Sequence, residues 1–180
     1  IDAVMVYGVN DGILDEGKIA IQLSPEDGPR HLVFHPKRNI AFVVNELSST
    51  VVSSKVDQNT GLFTVIDRKS TLPVDNQVDS YCADMHISGD GRYLYASNRG
   101  HHSIATFEVA ESGVLNFVEA VGVEGDWPRN FNLFGDGKYM VVANERSNNV
   151  QVFLVDPSSG SISFSGKGAA VFNPVCLIAM

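Results

Sequence analysis

The sequence predicts an all-β chain, and within that class a β-propeller fragment of about three full four-stranded blades with partial blades at both ends. Two observations carry this. The segments Pro29–Asn45, Cys82–Asn98 and Pro128–Asn144 align without a gap, and a fourth copy starts at Pro174. No stretch keeps a 3.6-residue apolar period, so helix is expected to be nearly absent. Successive copies begin 53, 46 and 46 residues apart, from Pro29 to Cys82 to Pro128 to Pro174. One propeller blade takes about 40–50 residues, and an insertion accounts for the longer first copy. The expected organisation is one segment, 1–180, with repeats near 29–74, 82–124 and 128–170 and partial blades at 1–27 and 171–180.

Each copy opens on a short, mostly apolar run such as 31–34. In the later copies a tight turn follows, Gly89-Asp-Gly91 or Gly135-Asp-Gly137. Glycine there supplies the positive φ that hairpin turns require. A β-branched and aromatic run comes next, at Ile40–Val44, Tyr93–Ala96 or Tyr139–Ala143. The third strand alternates clearly in Ser103–Val109 and Asn149–Val155. Asp57–Gly61 and Asp156–Gly160 then turn the chain into an outer strand, Leu62–Arg68 or Ser161–Ser165. The Pro174–Met180 run reads as one more apolar strand.

The chain has 180 residues, 44% hydrophobic and 19% charged, and a mean hydropathy of +0.02, which describes a foldable globular chain. Thirteen Lys and Arg against 21 Asp and Glu give a formal charge of −8. An acidic balance offers no broad footprint for nucleic acid, so no nucleic-acid partner is expected. No apolar run approaches the roughly 18–20 residues needed to span a bilayer, and no membrane partner is expected. Cys82 and Cys176 lie far apart and outside any CxxC pattern, which favours two free, mostly buried thiols. The start at Ile1 and the incomplete fourth copy suggest a longer parent whose N-terminal blades are missing here.

Antiparallel pairing brings the start of the innermost strand and the end of the second strand to one edge of a blade. The repeat therefore gathers Arg30 and His31, Ala83 and Asp84, Arg129 and Asn130 with Glu46, Arg99 and Glu145 at one end of the channel. The Asn at 45, 98 and 144 is the same in every copy, as a residue bonded within a turn or to backbone would be. The position after it switches between Glu and Arg. Arg30, Glu46, Arg99 and Arg129 are thus candidate functional groups, with a solvated ion-pair network as the plainer reading. His31 and His101 are candidate substrate contacts, whereas His35 and His86 read as structural. Trp127 could stack on a sugar ring or simply pack between blades. The histidines lack a metal-ligand spacing, so no metal is expected. No GxSxG elbow, GxxxxGK[ST] loop or GxGxxG before a helix is present.

Gly28–Pro36, Val44–Leu47, Ala83–Ser88, Gly91–Arg99 and Pro128–Phe131 together resemble the seven-bladed β-propeller lactonases. That family includes propeller-type 6-phosphogluconolactonases and the carboxymuconate lactonizing enzyme. The resemblance covers nearly the whole chain. It implies the C-terminal half of a seven-bladed parent of about 340–380 residues. It also implies catalytic roles for Arg30, Glu46 and Arg99, with a further histidine in the blade before residue 1. The implied reaction is hydrolysis of a small anionic sugar-acid lactone, 6-phosphogluconolactone, without metal or organic cofactor, in the cytoplasm. Glu46 would be the general base and Arg30 the oxyanion or anion clamp, with His31, Arg129, His101 and Trp127 in substrate binding. A non-catalytic binding propeller and a lactone-forming cycloisomerase are the rival readings.

Overall fold

A computed structural model describes residues 1–178. Among them there is no helix, and sixteen strands form three four-stranded antiparallel sheets and two small pairs. Strands β1 (Ala3–Val6) and β4 (Lys18–Gln22) pair with each other, as do the short β2 (Val9–Asn10) and β3 (Ile13–Leu14). The first full blade comprises β5 (Pro29–Phe34), β6 (Ile40–Asn45), β7 (Thr50–Val56) and β8 (Phe63–Ser70). The second comprises β9 (Tyr81–Ile87), β10 (Tyr93–Arg99), β11 (Ser103–Val109) and β12 (Leu115–Gly122). The third comprises β13 (Pro128–Phe134), β14 (Tyr139–Asn144), β15 (Asn149–Val155) and β16 (Ile162–Ala170). Every blade is a meander in sequence order. Blades meet through their first strands, with β5 and β13 both packed on β9.

Side-chain alternation explains why the second strand of a blade is apolar on both faces. Phe42 and Val44 of β6 join Met85, Leu94, Ala96 and Phe107 in a core between the first two blades. Val43 points the other way, onto Val52, Ile21 and Leu23. Successive strand residues face opposite sides, so a strand with a blade stacked on each face must be apolar throughout. Tyr95, Ile104, Phe131, Met140, Val142 and Phe153 build the equivalent core between the second and third blades.

Two details place the turns. Gly91 has φ +82° and packs on the ring of His35 from the preceding blade, where a Cβ would collide. His35 Nδ1 accepts from the backbone N–H groups of Lys37 and Arg38, the structural role its position suggests. The repeated asparagines are fully buried: Asn45 donates to Thr50, Asn98 to the Thr71 carbonyl and Asn144 to the Val123 carbonyl.

Three expectations change. Cys82 is buried but Cys176 is exposed, and both are free thiols. The outer strands β8 and β16 run longer than the alternation indicates. Residues 171–178 form no strand, because no neighbouring strand pairs with them; the last two residues of the expected closing strand lie outside the described residues.

Each blade also carries a bulge at the start of its first strand. Pro29 pairs with Asn45 but His31 with Val44, leaving Arg30 as the extra residue. Arg129 is extra in the same way between Pro128 and Asn130. In the second blade Ala83 and Asp84 together oppose Ser97. A bulge re-aims side chains that the pleat would otherwise send elsewhere. The inter-blade core predicts that Phe107→Ala, at a fully buried site, costs about 3–5 kcal/mol. Urea denaturation of the intact protein checks this.

Candidate active site

The sequence places Arg30, Glu46 and Arg99 at one edge, and the structure joins them. The Glu46 backbone N–H donates to the Gly28 carbonyl at 2.7 Å, and its carbonyl accepts from the Cys82 N–H at 3.1 Å. Its carboxylate is thereby held at the seam between the first and second blades. Oε1 accepts from Arg99 Nη2, and Oε2 lies 3.7 Å from Arg30 Nε. The Glu46 side chain is 35% exposed. A carboxylate has about four acceptor positions, so two arginines leave room for a water.

The two arginines differ. Arg99 is only 8% exposed, with Nε donating to the Tyr81 carbonyl and Nη2 to the Cys82 carbonyl at 2.9 Å. Its guanidinium is spent on the start of β9 and on Glu46, whose carboxylate it holds in place. Arg30 remains 21% exposed, donates to the Ala83 carbonyl and brings Nη1 to 2.9 Å from His31 Nε2. Burial, followed by the charge of nearby Arg99, lowers the Arg30 pKa from its ordinary value, and Glu46 opposes the shift. The guanidinium stays cationic. In the third blade Arg129 and Glu145 repeat the Arg30–Glu46 spacing, with Nη1 3.1 Å from Oε2 and Arg129 42% exposed.

Sequence reasoning missed the role of Asp84. This buried carboxylate accepts from His31 Nδ1 at 2.8 Å, His86 Nε2 at 3.2 Å, Asn130 Nδ2, and the backbone N–H groups of Met85 and Phe131. Burial raises its pKa, but the hydrogen bonds from His31, His86 and Phe131 prevail and hold it well below the usual carboxylate range. The signal was present in the repeat: His31, Asp84 and Asn130 occupy the same aligned position. What the repeat did not show is that equivalent positions of adjacent blades touch.

The remaining candidates lie off this cluster. His101 Nδ1 bonds Ser103 Oγ of its own turn at 2.7 Å. Its neighbour His102 instead reaches the third blade, with Nε2 3.3 Å from Asp126 and Nδ1 accepting from the Trp127 N–H. Trp127 adopts φ +66°, rare for a bulky residue, and its ring carries Arg146 3.3 Å and Arg99 5.4 Å from the centroid. Guanidinium groups of the second and third blades stack on this ring. Among the described residues no group of three His, Cys, Asp or Glu is arranged to hold a metal ion. A cavity of about 750 Å³ lies at the opposite edge, around Ser88, Asp90, Tyr93 and Asp156.

The family described as lactonase, seven-bladed β-propeller, matches residues 1–179. The chain belongs to that family. A 6-phosphogluconolactonase from Bacillus subtilis is 38% identical over 178 residues, covering 98% of the chain and 51% of the relative. A Lactobacillus plantarum crystal structure superposes with a TM-score of 0.93 at 38% identity, over 97% of the chain and 51% of that protein. The periplasmic gluconolactonase of Pseudomonas aeruginosa gives a TM-score of 0.85 at 31% identity, over 96% and 49%. This lactonase-family chain thus spans about half the length of the relatives it matches.

The low Asp84 pKa sets a direction for acid sensitivity. An Asp pKa depressed by folding contributes stability that is present above the unfolded value, 3.8, and is lost as pH falls below it. Asp84→Asn should lower Tm at neutral pH and flatten its decline between about pH 5 and pH 2. Thermal denaturation at stepped pH measures both.

Proposed function

We propose that the protein hydrolyses a sugar-acid lactone, with 6-phosphogluconolactone as substrate, by metal-independent general-base activation of water. The observation that carries this reading is the Glu46 carboxylate, partly open at the rim and fixed by Arg30 and buried Arg99. Family membership and the relatives named 6-phosphogluconolactonase and gluconolactonase support the reaction class. The chemistry needs few groups. Glu46 takes a proton from water as the oxygen attacks the lactone carbonyl. The carbonyl oxygen becomes an oxyanion beside Arg30, a fixed donor in a partly dehydrated setting. Arg129, the most exposed of the three rim arginines, would meet the substrate phosphate. A sugar phosphate does not cross a membrane unaided, which favours a cytoplasmic reaction. Among the described residues no helix is long and apolar enough to cross a membrane.

The test uses the intact protein and 6-phosphogluconolactone, with the spontaneous reaction subtracted. Glu46→Gln should lower kcat by about 10²–10⁴-fold, the usual contribution of a positioned base, with KM little changed. A chelator should leave the wild-type rate as it is. Equal turnover in the variant would remove Glu46 from the reaction, and no catalysis by folded wild type would favour a binding propeller.

A further inference from the structure

Glu46, Arg30 and Arg129, the groups of this chain assigned so far, leave one step of the proposed hydrolysis unassisted: departure of the ring oxygen. Hydrolysis breaks the acyl carbon–oxygen bond, and an alkoxide is a poor leaving group unless it is protonated as it departs. The geometry points to His31, positioned by Asp84, as the general acid that protonates this oxygen.

The Arg30 guanidinium lies between two proton carriers, with Nε 3.7 Å from Glu46 Oε2 and Nη1 2.9 Å from His31 Nε2. A carbonyl held by Arg30 therefore has a carboxylate on one side and an imidazole on the other. Attack and departure also need two such groups, one to accept a proton and one to give it.

His31 is built for the second task. Its Nδ1 lies 2.8 Å from Asp84 Oδ1, and an ionised carboxylate can only accept, so Nδ1 carries hydrogen. That bond fixes the ring orientation and leaves Nε2 as the working nitrogen. The Asp84 carboxylate is locked in turn by donors from its own blade and from the third, so the imidazole has a rigid, buried anion behind it. The His31 side chain is 40% exposed, so its outer nitrogen reaches solvent and ligand. His86, the other imidazole on Asp84, faces Phe131 with ring centroids 4.9 Å apart and serves packing.

The step balances as follows. Water gives a proton to Glu46 while its oxygen bonds to the carbonyl carbon, and the carbonyl electron pair becomes the oxyanion beside Arg30. On collapse the bond to the ring oxygen breaks with its electron pair, and that oxygen takes the proton from His31 Nε2. Glu46 returns its proton to solvent, and His31 regains one there. Arg30 Nη1 donates to Nε2 in the structure. Its engagement by the substrate frees that nitrogen to carry the proton.

The inference rests on the lactonase reading, and leaving-group dependence separates the two. The intact protein and its His31→Gln and Asp84→Asn variants are assayed on 6-phosphogluconolactone and on dihydrocoumarin, an aryl lactone whose phenolate departs without help. His31→Gln should lose about 10²-fold or more on the sugar lactone, the contribution of a general acid, and much less on the aryl lactone. Asp84→Asn should show the same selectivity in smaller measure. Damage to the fold alone would depress both substrates together, and Tm reports it separately. Equal losses on both lactones would overturn the role of His31. Failure of wild type on both would overturn the lactonase reading instead.

Discussion

One buried carboxylate holds three consecutive blades in register. Asp84 binds His31 of the first blade, Met85 and His86 of its own, and Asn130 with the Phe131 N–H of the third. A buried charge of this kind is tolerated only when its oxygens are met by donors, and five donors meet them here. The pattern continues outward: Asn130 Oδ1 accepts from the Leu177 N–H, as Asp84 does from Phe131 one blade earlier. The apolar cores make the blades adhere, but they are non-directional. The polar chain at the inner strands fixes where each bulge sits against the next.

The rim follows from that registration. Arg30 projects from a bulge, reaches across to the Ala83 carbonyl and meets Glu46 of its own blade. Arg99 comes back from the second blade to the same carboxylate. Glu46 is thus shared between blades, whereas Glu145 pairs with Arg129 of its own blade. Slipping the first two blades by one residue would part Arg99 from Glu46 and His31 from Asp84 together. Stability and the proposed chemistry use the same contacts.

The repeat made the blades, their strand order and the shared edge legible, because each follows from period-two patterning and antiparallel pairing within about 50 residues. Arg30 and Glu46 were legible for the same reason. Asp84 was not, since its importance lies in partners from other blades, 53 residues before it and 46 after. The burial of Arg99 was equally hidden: its sequence position matches that of Glu46, yet backbone carbonyls of β9 surround it. His101 and His102 cannot be ranked by sequence, because the left-handed backbone of His102, φ +54°, decides which ring meets Trp127.

In the proposed hydrolysis the lactone carbonyl reacts at Arg30, flanked by Glu46 and His31. A crystal structure of the intact protein with the stable product 6-phosphogluconate tests it most directly. The product carboxylate should sit on Arg30, with the hydroxyl released from the ring on the His31 side and the phosphate toward Arg129. Product bound at the opposite mouth, near Asp90 and Tyr93, with the Arg30–Glu46 pair undisturbed, would contradict it.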